Sequence, residues 1–89
     1  MYIYKLYRGH SDTEFAKSVH LQAVIDEVKI DLLRNNRFVE EQFRGGFKVV
    51  SKDGNLRWLR KFTMEDEELI TYQSEDDIEY RIEKTRAFF

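Results

Sequence analysis

Two histidines and no cysteine limit the chemistry open to this 89-residue chain. His10, Asp12 and Glu14 form the one local grouping with metal-ligand character, and a zinc centre needs three or four convergent donors. Capping of a helix start gives Ser11 and Glu14 a different role, so no metal is expected. His20 stands ten residues further on, without HxxxH or HExxH spacing. A nucleophile elbow, a P-loop and a dinucleotide fingerprint are absent. Seven of the 17 Asp and Glu residues gather in two runs that suit turns, where nothing separates the pKa values of two neighbours as an acid–base pair requires. A non-enzymatic chain without catalytic residues or cofactors is expected.

Recognition is the chemistry that remains, and two sets of charges offer it. Residues 1–64 hold 12 Lys and Arg against 8 Asp and Glu, whereas residues 65–89 hold 3 against 9. The acidic set is Glu65, Asp66, Glu67 and Glu68 in one run and Glu75, Asp76 and Asp77 in another. Placed at successive turns of a meander, the two runs lie at opposite ends of the sheet and steer approach to a protein partner with a basic surface. The basic set is Arg44, Lys48, Lys52, Arg57 and Lys61, in and beside the stretch KVVSKDGNLRWLRKF. With Lys48, Arg57 and Lys61 on one exposed face and Lys52 and Arg44 extending it, these cations would attract a phosphate backbone, which makes an RNA- or DNA-binding module the alternative function. The aromatic consensus of an RRM and the glycine loop of a KH domain are both missing.

The elements that position these residues follow from periodicity. Aromatic Tyr2, Tyr4 and Tyr7 predict a first strand at about 2–8. SDTE then has the form of a capping box, with Ser11 as N-cap and Glu14 as its partner, and predicts a helix start. Leu21, Val24, Ile25, Val28 and Leu32 continue as an amphipathic stripe that stops at Asn35 and Asn36; Phe15 and Val19 fit it less well and suggest a break near Val19 to Leu21. FVEEQF predicts one or two further helical turns, with Val39 and Phe43 four apart. From Phe47 the pattern alternates, predicting strands at Phe47 to Lys52, Leu56 to Met64, EELITYQ and DIEYRIEK. A two-residue Asp53-Gly54 turn sets Val49 opposite Trp58 and turns Phe47, Val49, Leu56, Trp58 and Phe62 to the core. The order β-α-β-β-β-β predicts a two-layer α+β domain, an antiparallel meander packed on one long or bent helix.

One chain of this length holds one core, and the absence of Pro and of glycine-rich linkers predicts a single domain over residues 1–89. Lack of cysteine and of a leader-like or membrane-length apolar run predicts a cytoplasmic protein. Compact, cysteine-free, charge-rich chains of this size resemble phage-encoded inhibitors of host defence or transcription, some of which imitate nucleic acid. The likeness is one of size and composition. It implies an inhibitor or regulator of a host macromolecule; the charge split at Met64 is what predicts binding to protein through the acidic C-terminal third, or self-association.

Overall fold

The β-branched and aromatic content of the chain goes into strands more completely than periodicity predicts. In the computed structural model, which describes residues 1–64, 68–75 and 77–87, the elements are β1 (Tyr2–Arg8), β2 (Glu14–Ser18), α1 (Leu21–Arg34), β3 (Arg37–Phe43), β4 (Gly46–Ser51), β5 (Leu56–Met64), β6 (Leu69–Gln73) and β7 (Ile78–Arg86). One antiparallel sheet runs in the order β2-β1-β7-β6-β5-β4-β3, so that the first strand joins the last, with Leu6 opposite Ile82. The α+β class holds. In place of a flat two-layer stack, the sheet curls, and α1 packs against β3 at one edge and against β2 and β1 at the other.

Two predicted helical segments are strands. Ser11 caps no helix: its hydroxyl accepts a hydrogen bond from the Thr13 amide at 3.2 Å, inside a turn opened by Gly9 at φ 52. The following Glu14–Ser18 segment pairs with β1, setting Ala16 opposite Leu6, because ladder bonds and burial of Phe15 and Ala16 against the core outweigh a local capping preference. The helix begins where the apolar stripe becomes regular, at Leu21. FVEEQF likewise forms β3, paired with β4. Asn36, at φ 58, reverses the chain between α1 and β3, as the Asn pair predicts.

The core unites Val24, Ile25, Val28 and Leu32 of α1 with Leu6, Phe47, Val49, Leu59, Ile70, Tyr72, Tyr80 and Ile82 of the sheet. Phe47 stacks on Tyr72 at 4.9 Å, and burial pushes the Tyr72 phenol up to about 12. Asp31 is the charged residue on the buried stripe of α1. Its carboxylate accepts hydrogen bonds from the Arg8 guanidinium (2.6 and 3.1 Å) and from the Tyr80 hydroxyl (2.7 Å). Those donors hold Asp31 below the usual carboxylate range although burial acts the other way, while burial and the adjoining carboxylate raise Tyr80. Across the curl, Arg37 of edge strand β3 grips Glu79 of β7 through both terminal nitrogens, at 2.5 and 2.9 Å. The two strands are separated by β4, β5 and β6 in the sheet order, so the curvature is what lets them meet.

Candidate functional site

One extra residue in a turn decides which side chains of β5 meet solvent. Ser51 donates its amide to the Asn55 carbonyl, and Gly54 donates to Ser51, each at 2.9 Å. The loop is therefore Lys52-Asp53-Gly54, three residues long, with Gly54 at φ 88 in the position where such loops need left-handed backbone. Asp53 tightens it by accepting from the Ser51 hydroxyl and from both the amide and side chain of Asn55.

Register shifts by one relative to the two-residue turn. Lys48 lies opposite Trp58, Phe47 opposite Leu59, and Val49 opposite Arg57. Every side chain of β5 thereby changes face. Leu59 is fully buried, whereas Trp58, expected to pack on the helix, is 47% exposed. Phe62 and Leu56, predicted as core, are also half exposed.

The face turned away from the helix gathers a run of apolar groups. Leu56, Trp58, Phe62 and Met64 come from β5, Phe38 and Phe43 from β3, and all six are between 38% and 52% exposed. Phe43 crosses β4 where Gly46 has no side chain and meets the Trp58 ring edge-on at 5.3 Å. Gly46 adopts φ 135, and an added Cβ would lie 1.8 Å from the Leu59 carbonyl oxygen, so glycine is required there. A groove of about 570 Å³ runs beside Trp58, between Leu56, Arg57, Arg60 and Phe62 on one wall and Gln73, Ser74 and Glu75 on the other.

Charge around this face is sparse and of both signs. The Lys48 ammonium lies 5.7 Å from the Trp58 ring centroid and 3.8 Å from Glu40. Arg60 follows Trp58 on the same face, and among the described residues no ion pair engages Arg57, Arg60 or Lys61. The predicted basic set does not share one face. Lys48 is outward, Arg57 and Lys61 project to the helix side opposite Val49 and Tyr72, and Arg44 and Lys52 sit in turns. The register that exposes Trp58 is what divides them.

Of the acidic set, Glu65, Asp66, Glu67 and Asp76 lie outside the described residues. Glu68 and Glu75 are exposed at opposite ends of β6, and Glu75 lines the Trp58 groove. Asp77 meets the His10 ring at 2.9 Å and caps the Ile78 amide at 2.8 Å; both donors hold its carboxyl below the usual range. In β1, Tyr2 and Tyr4 share a face, with the Lys84 ammonium 4.4 and 6.0 Å from their ring centroids, and Tyr4 packs on the core. No group of three or more His, Asp or Glu positioned to hold a metal occurs among the described residues. No helix among them is long and apolar enough to cross a membrane.

Arg60, Phe38 and Phe43 have no place in the predicted sites. A three-residue Lys52-Asp53-Gly54 loop would have signalled Arg60, as an outward neighbour of Trp58 and Phe62; Phe38 and Phe43 were hidden by the helical reading of FVEEQF. Comparison with family models, curated proteins and solved structures finds no match to this chain, so its site is read from its own residues.

Proposed function

We propose that this chain is a non-enzymatic binding domain, an inhibitor or regulator that acts by covering or being covered by another protein at the outer face around Trp58. The supporting observation is the exposure of six large apolar side chains on the outer face of β3 and β5. Trp, Phe, Met and Arg are the residues enriched where proteins meet, and Lys and Asp are depleted there. Trp58 has the character of an anchor, half exposed and met edge-on by Phe43. The acidic residues Glu65, Asp66, Glu67, Glu68, Glu75, Asp76 and Asp77 then serve approach, steering the domain toward basic surface, while contact is made by the apolar face.

A second reading, a single-stranded nucleic-acid surface, is favoured by one feature: Trp58, Arg60 and Phe62 alternate on the same face. Two rings with a cation between them suit stacked bases and an intervening phosphate. Against it, Lys48 is already beside Glu40, and Glu75 lines the same groove.

A benzophenone side chain placed at Leu56, at the end of the face, tests both in the expressing cell. A protease-sensitive adduct supports the protein reading, and a nuclease-sensitive adduct replaces it with the nucleic-acid reading. Absence of any adduct, or equal labelling from Ala23 on the exposed side of α1, contradicts a contact surface at Trp58.

A further inference from the structure

We infer that the protein covering the outer face is a second copy of this chain, packed sheet to sheet about a two-fold axis near Trp58. The inference rests on the reading of that face as a contact surface and names its occupant.

Area is the first argument. Phe38, Phe43, Leu56, Trp58, Phe62 and Met64 are each close to half exposed, and side chains of this size expose on the order of 100 Å² in that condition. Together they offer roughly 600 Å², the upper end of the largest patch on a typical monomer. With the surrounding polar side chains the face approaches the roughly 800 Å² per partner of a stable interface.

Charge is the second. Among the apolar side chains stand Lys48 and Arg60, but also Glu41, opposite Lys48 on β3, and Glu75 lies in the groove wall. A partner of one sign would leave half of these charges facing like charge. A two-fold copy presents both signs, which allows cations to face acids across the interface.

The sheet edges offer a poorer route. β3 is interrupted by a bulge between Val39 and Glu41 and carries two consecutive glutamates, features that discourage strand addition, and β2 is only five residues long. Association through the faces, with the two sheets about 10 Å apart, is the arrangement left.

Sedimentation equilibrium of the full chain from micromolar to millimolar concentration tests this. The wild type is expected to sediment as a dimer, and Trp58→Ser and Phe62→Ser to weaken the dimer at least about tenfold in Kd, with unchanged circular dichroism. Leu33→Ser, on the exposed side of α1, is expected to leave Kd unchanged. A wild type that stays monomeric throughout, or a dimer indifferent to both outer-face variants, overturns the proposal. A monomer whose Leu56 benzophenone still captures a different protein overturns the second copy alone and leaves the contact face standing; no adduct of any kind overturns both.

Discussion

Asp31 is the residue whose environment says most about how the helix is held. A lone carboxylate among Val24, Val28 and Leu32 would be costly, and here it is satisfied by Arg8 from β1 and Tyr80 from β7. Its position on the apolar stripe was legible in the sequence, but the identity of its partners, 23 and 49 residues away, was not. Asp31→Asn is expected to cost about 2 kcal/mol, a figure kept low because the Arg8 side chain is 54% exposed and solvent screens the pair. Because the folded protein lowers the Asp31 pKa, the stabilisation is present above the ordinary carboxylate range and is lost as pH falls through the depressed value. Urea unfolding of wild type and variant should therefore differ fully at neutral pH and converge below about pH 4; a gap that widens on acidification would contradict this account. Gly46 gives a second test at this scale. Gly46→Ala must move the Leu59 backbone or abandon φ 135, so a loss of about 3 kcal/mol or more is expected in thermal or urea unfolding.

The β4–β5 hairpin shows how one loop residue governs an element. Alternation located β4, β5, β6, β7 and β1 to within a few residues, and the helical stripe located α1 from Leu21. Alternation could not fix which face of β5 was buried, because its inward set, Arg57, Leu59 and Lys61, is the less apolar one. Leu59 at the centre enters the core while the flanking cations remain partly or fully exposed, so the pattern favoured the wrong parity. β2 and β3 were missed for a related reason. Their helical signals were local, and the strand pairing that overrides them depends on β1 and β4. The observed register makes a clear prediction for adjacent residues. Leu59→Ala is expected to cost about 2–5 kcal/mol by opening the core, and Trp58→Ala less than about 1 kcal/mol in the monomer. Denaturant midpoints would show the reverse order if the two-residue turn were correct.

At the scale of the whole molecule, one side of the sheet is covered by its own helix and the other exposes an apolar stretch beside charges of both signs. Under the proposed function the acidic runs foreseen from composition serve steering. Replacing Glu65, Glu67 and Glu68 by Gln and Asp66 by Asn is expected to slow association and flatten its salt dependence, read by stopped-flow, while leaving the dissociation rate nearly unchanged. Under the proposed function contact is made by the face of Trp58, the single tryptophan of the chain, which makes quenching of its emission by neutral acrylamide the most direct test. Trp58 should be readily quenched in Phe62→Glu, where charge keeps the face open, and shielded in the wild type as protein concentration rises. Equal shielding in both at every concentration would place Trp58 in the core, and equal accessibility in both would mean that nothing covers the face.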